Sequence, residues 1–183
     1  MSATDDPVRA VLDLLTRAAN DRNAGALRWP VLATASDDHG ADARMLVLRH
    51  FDREARVLEL HTDSRAPKVA QLRANPACAL LFFDHRSKVQ VRVRGEARVH
   101  TDDAMADAAF ARAPKGSLDD YRGAPPGAVL DQEPRRSEAA RDNFAAIRIG
   151  MVQADWLTLS RSGHERALVD FSRDKAEATP IEP

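Results

Sequence analysis

One cysteine, Cys78, stands in a chain of 183 residues, so no disulfide can close within it. Its setting, Ala77-Cys78-Ala79-Leu80-Leu81-Phe82-Phe83, makes it a small buried hydrophobe and not a nucleophile. An excess of either charge is missing too. The 27 basic and 28 acidic side chains leave a formal net charge of −1, which gives no global pull toward nucleic acid or an anionic membrane. No apolar run approaches the length of a membrane-spanning helix, and residues 1–20 lack the apolar core of a signal peptide. Neither G-x-G-x-x-G nor G-x-x-x-x-G-K-[ST] occurs, so a dinucleotide or P-loop site would need another design. Repeats and low-complexity segments are absent as well. What remains is a cytoplasmic protein with one domain over residues 1–172 and a loose polar tail over residues 173–183.

What is present reads mainly as strands. Asp6-Pro7 starts an N-terminal helix over residues 6–22, and Val8, Val11, Leu12, Leu14 and Leu15 follow a helical stripe. Strands are expected over residues 29–35, 44–49 and 56–61. A short helix then runs from Ser64 to Asn75-Pro76. The apolar run 77–83 suits a strand buried on both faces. In residues 89–100, Val91, Val93, Ala97 and Val99 alternate with Arg92, Arg94, Arg98 and His100, the pattern of a half-buried strand. No aromatic residue interleaves with those arginines, which speaks against a nucleic-acid track. Thr101 is expected to cap a helix reaching about residue 112. A Pro/Gly-rich connection over 114–127 follows, then a helix over 137–147 and strands over 149–159 and 166–171. The fold class is mainly β with α: a small antiparallel barrel with helices at its ends.

Chemistry concentrates between Arg44 and Gly95. Polar groups gather at the seams between elements: Arg44 and Arg49, then His61-Thr62-Asp63-Ser64-Arg65 with Lys68, then Gln90 and Arg92. Cationic and hydroxyl groups placed where a strand yields to a helix N-terminus are what a phosphate needs. Taken singly, each is an ordinary solvated strand residue, Gln90 included.

The pieces Arg44-Met45-Leu46-Val47-Leu48-Arg49, His61-Thr62, Ser64-Arg65 with Lys68, and Gln90-Val91-Arg92-Val93-Arg94-Gly95 resemble, in that order, the pyridoxamine 5'-phosphate oxidase-like family. The resemblance implies an antiparallel FMN-binding split β-barrel. It also implies that Arg44, Ser64, Arg65 and Lys68 grip the FMN phosphate, that Thr62 and the backbone of Met45, Leu46, Val47 and Leu48 follow the ribityl chain and ring edge, and that Gln90 meets the flavin ring. Trp156 and Arg166 match a family pair that reaches the flavin from the neighbouring subunit, which implies a homodimer with FMN at the interface.

Departures from the family pattern affect the substrate. Where the oxidase proper has a lysine, a tyrosine and two arginines for the vitamin phosphate and pyridine, this chain has Arg49, Ala109, Ala113 and Ser162; only Ser117 and His164 match. The expectation is therefore an FMN-dependent oxidoreductase for a different small substrate, with Arg49, Ser117 and His164 as substrate contacts and Arg49 and His164 as proton-transfer candidates. The alternatives are a non-catalytic flavin carrier or redox sensor, and a haem-binding split barrel. The six histidines have no metal-ligand spacing, so no metal site is expected.

Overall fold

The computed structural model describes residues 6–21, 23–36, 40–129, 140–161 and 163–183. Among the described residues nine strands make one sheet: β1 (Val31–Ser36), β2 (Gly40–Met45), β3 (Leu48–Asp52), β4 (Val57–Asp63), β5 (Ala77–Asp84), β6 (Val89–His100), β7 (Phe144–Thr158), β8 (Glu165–Asp170) and β9 (Glu177–Ile181). Helices α1 (Pro7–Asn20), α2 (Pro67–Ala74), α3 (Ala104–Arg112) and α4 (Lys115–Leu118) lie between them. Every pairing is antiparallel, in the order β2-β1-β5-β6-β7-β4-β3, with β8 on β7 and β9 on β8. The end strands β2 and β3 are consecutive in the chain and joined only by Leu46-Val47. So short a link spans on the order of 10 Å. The sheet must therefore curl until its two edges nearly meet unpaired, which is a split barrel.

The inside is a continuous apolar row. Leu32, Leu80, Val93, Ala154 and Val169 face one another across five strands, and each is buried. One end of the barrel is closed by α1, whose apolar stripe buries Val11, Leu14, Leu15 and Ala18. Asp6 caps it by accepting the Arg9 N–H at 3.0 Å. A second, smaller cluster of Ala109, Tyr121, Ala140, Phe144 and Ala146 packs the α3 region against the outer face of the sheet.

Strand β7 ties the barrel together. It runs beside β6 along nearly its whole length, and its other edge is shared by β4 and then β8. Arg94 pairs with Gln153 and Gly95 with Met151, so Val152 is the extra residue of a β-bulge. The bulge reverses the inside/outside alternation. Ile147, Ile149 and Met151 face the core before it, and Ala154 and Trp156 face the core after it. Gly95 is required here, because a Cβ would clash with the Gly150 carbonyl oxygen and the Ile149 side chain.

Several expectations need correction. The tail is not loose: residues 177–181 form β9, paired with β8. The expected strand over 44–49 is two strands, broken at Leu46-Val47. Residues 144–147 of the expected helix open β7, its residues 137–139 lie outside the described residues, and 140–143 form turns. Strand β5 is buried on one face only, with Ala77 and Leu81 exposed on the other. The cap of α3 is Asp103, which accepts the Ala106 N–H at 2.9 Å, and not Thr101.

Candidate functional site

The α2 N-terminus, the end of β4 and the inner side of β2 meet at one place. Helix α2 starts with proline after Ala66, so no side chain caps its first turn. Arg44 turns toward α2 from β2 and is held on several sides. Its Nη1 donates to Thr34 Oγ1 at 2.7 Å, its Nη2 donates to Gln71 Oε1 at 3.2 Å, and Asp42 pairs with its charge. Gln71 in turn donates to Asp42 at 3.1 Å, and that bond leads the interactions that hold the Asp42 carboxyl below its ordinary range. Lys68, one helical turn before Gln71, donates to Thr62 Oγ1 at 3.2 Å. Burial pushes the Lys68 amine below its usual pKa, and the nearby Arg44 charge pushes it further. Two crowded cations, a hydroxyl and an uncapped helix start form a donor set that suits an anion with several oxygens.

Not every residue expected in this site joins it. Arg65 is clamped by Asp63, with Nε to Oδ1 at 2.9 Å and Nη2 to Oδ2 at 2.6 Å, and it also donates to the Gly123 carbonyl at 3.1 Å. Ser64 donates to the Asp142 carbonyl at 3.5 Å. His61 alternates with Thr62 along β4 and so faces the opposite side of the sheet, where its Nε2 lies 3.0 Å from Glu59 Oε1 and its ring packs on Phe144. Burial raises the Glu59 pKa, but the His61 hydrogen bond and the Arg112 charge outweigh it and hold the carboxyl below its ordinary range. Met45 is exposed, Leu46 and Val47 form the β2–β3 link, and Leu48 is buried.

A second group lies elsewhere on the barrel. Gln90 pairs with Leu157, which pairs with Arg166, and this row faces outward. Arg166 is forked onto Asp155 at 3.0 and 2.8 Å, and Arg92 pairs with the same carboxylate. Those contacts, the Arg166 hydrogen bond first, hold Asp155 below the ordinary carboxylate range. Trp156 is only 4% exposed and belongs to the core, in register with Val91 and Ala167. One chain therefore does not bring Gln90 and Arg166 to the Arg44–Lys68 site.

Among the substrate candidates, Arg49 lies beside Tyr121 with its Nε buried and without a hydrogen-bond partner. Burial raises the Tyr121 hydroxyl to about 12. Ser117 donates to the Pro114 carbonyl at 2.8 Å, and exposed His164 accepts the Ser160 N–H at 3.2 Å. Burial lifts the Cys78 thiol to about 11, which leaves it unreactive. No group of metal-ligating side chains occurs among the described residues. The sequence reading missed Thr34, Asp42 and Gln71, which position Arg44. Only the i, i+3 spacing of Lys68 and Gln71 hinted at them.

Comparison with known proteins bears on this geometry. The profile of the pyridoxamine 5'-phosphate oxidase, FMN-binding domain, matches residues 9–101. The pyridoxine/pyridoxamine 5'-phosphate oxidase of Bradyrhizobium diazoefficiens is 40% identical over 118 residues, 62% of this chain and 52% of that protein. The oxidase of Myxococcus xanthus DK1622 is 37% identical over 116 residues, 61% of this chain and 52% of that protein. The chain thus spans about half the length of the curated relatives it matches. Among solved structures, a pyridoxamine 5'-phosphate oxidase-related, FMN-binding protein from Nostoc punctiforme superposes with a TM-score of 0.79 at 21% identity, covering 97% of this chain and 98% of that one. PhzG from Burkholderia lata, solved with tetrahydrophenazine-1-carboxylic acid, gives 0.77 at 16% identity, covering 100% of this chain and 97% of that one. At these identities the structural likeness is one of fold. With half of the chain matched by the profile, this protein belongs to the pyridoxamine 5'-phosphate oxidase FMN-binding family.

Proposed function

We propose that the protein is an FMN-dependent oxidoreductase acting in the cytoplasm on a small molecule other than pyridoxamine 5'-phosphate. The observation that carries FMN binding is the crowding of Arg44 and Lys68 beside Thr62 and the start of α2. Asp42 offsets Arg44, while Asp63 is taken by Arg65, so Lys68 has no carboxylate of its own among the described residues. A phosphate fits that deficit, with Arg44 and Lys68 as its main partners and Ser64 and Arg65 at its edge. Bound FMN supplies two-electron redox chemistry, and the protein binds and orients it.

The active form is a homodimer with FMN between subunits, to which the partner contributes Gln90 and Arg166. Supporting this, the two groups face opposite sides of one chain's sheet, and Trp29 and Met45 leave apolar surface exposed. Trp156 supports the second group from within by packing beneath Gln90 and Arg166.

The substrate differs because its anchors differ. Ala109 and Ala113 are buried and offer neither a hydroxyl nor a cation. Each missing hydrogen bond to a charged group removes about 1.5–3 kcal/mol. Arg49 and His164 remain as substrate contacts, with Ser117 at the loop. The test is an absorbance spectrum and FMN titration of wild type and an Arg44→Ala/Lys68→Ala double variant, followed by assay with pyridoxamine 5'-phosphate. Tight FMN binding lost in the double variant, with no turnover of that substrate, is the expected result. No flavin uptake by wild type in excess FMN would overturn the cofactor assignment, and efficient turnover would overturn the substrate assignment.

A further inference from the structure

We propose that a groove on the outer face of β6 and β7 binds a small organic oxyanion, separately from the FMN site. Arg98 on β6 and Arg148 on β7 stand directly opposite each other. Like charges in that relation are destabilising unless something lies between them. Neither arginine has an ion-pair partner among the described residues. The Arg148 Nε is buried without a hydrogen-bond partner, and its Nη1 reaches only the Met105 sulfur, at 3.9 Å. Glu59 is the cross-strand neighbour of Arg148 on the other side, but its carboxylate is taken by Arg112 and His61.

The groove holds about 660 Å³ between the sheet and the start of α3. Val57, Pro76, Met105 and Val152 give it apolar walls. Two other ionisable groups line it. His100 is bound to Asp103 at 2.6 Å, and Glu96 lies opposite Gly150, two residues along the strand from Arg98. Opposed guanidinium forks match the oxygens of a carboxylate or phosphate, and the apolar walls match an organic body attached to it. The site is distinct from the one at Lys68. At the level of Arg148, β4 presents Glu59, three residues from Thr62 and on the opposite face.

Calorimetric titration of the full chain, loaded with FMN and then freed of unbound flavin so that only the phosphate site is occupied, tests this with benzoate and phenyl phosphate as probes. The expected result is one saturable site per chain for at least one probe, and comparing the two tells a carboxylate from a phosphate preference. Affinity should fall tenfold or more in Arg98→Gln and in Arg148→Gln, and stay unchanged in Arg94→Gln, which lies on the same strand face. Arg98 is exposed, so its variant carries the test even if Arg148→Gln folds poorly. Without ligand, Arg98→Gln should melt higher than wild type, because the opposed charge is gone. No saturable binding of either probe, or equal affinity in wild type and Arg98→Gln, would overturn the proposal.

Discussion

Arg44 is the best-held cation of the proposed phosphate site, and Lys68 is the one left most in need of an anion. Charge-assisted hydrogen bonds contribute about 1.5–3 kcal/mol each, so Arg44→Ala or Lys68→Ala should weaken FMN by roughly 10- to 100-fold, read by fluorescence titration. The pH dependence follows from the direction of the Lys68 shift. Burial and Arg44 lower its pKa below 10.5, and only the protonated amine attracts a phosphate. Affinity should therefore hold at neutral pH and decline as pH rises through that lowered pKa, below pH 10.5. Lys68→Met should bind more weakly and lose the alkaline decline; an unchanged slope in that variant would remove Lys68 from the phosphate site. That Arg44, Thr62 and Lys68 come together was legible in the order of the sequence pieces that carry them. Asp63, two residues away, captures Arg65 locally, a pairing that the sequence reading passed over. Trp156 points inward because Val152 reverses the strand's alternation, which no periodicity upstream announces.

At the scale of elements, strands with clean alternation were readable and those set by tertiary pairing were not. Strand β6 matches its sequence pattern nearly residue for residue. Strand β9 escaped because Pro180 breaks the strand signal, yet an edge strand tolerates a proline whose missing N–H faces away from its partner. The run Phe144-Ala145-Ala146-Ile147 has helical composition, but β4 and β6 pair with it on both sides and override that preference. Two expectations follow. Gly95→Ala should destabilise the fold by about 1–3 kcal/mol in denaturant melts, because the new methyl meets the Gly150 backbone. Removing residues 174–183 should lower the melting temperature and promote aggregation by baring the β8 edge; a melt and scattering profile like wild type would mean that β9 adds nothing to the sheet.

For the whole molecule, the proposed homodimer, with Arg44 and Lys68 from one subunit and Gln90 and Arg166 from the other, predicts complementation between damaged subunits. Arg44→Ala/Lys68→Ala protein and Gln90→Ala/Arg166→Ala protein should each bind FMN poorly. Equal amounts, unfolded and refolded together, should recover roughly a quarter of the wild-type sites, since half the dimers are mixed and each mixed dimer holds one intact site. No recovery would place both groups in the same subunit. The position of β7 carries a different consequence, for how the protein is made. It is the partner of both β4 and β6, yet β4 ends at Asp63 and β7 starts at Phe144. At 5–20 residues per second, a ribosome needs roughly 4–16 s to cover that gap. Throughout it, the nascent chain holds strands with no neighbour to close them, so a stalled or truncated product ending before β7 is a natural client for a chaperone.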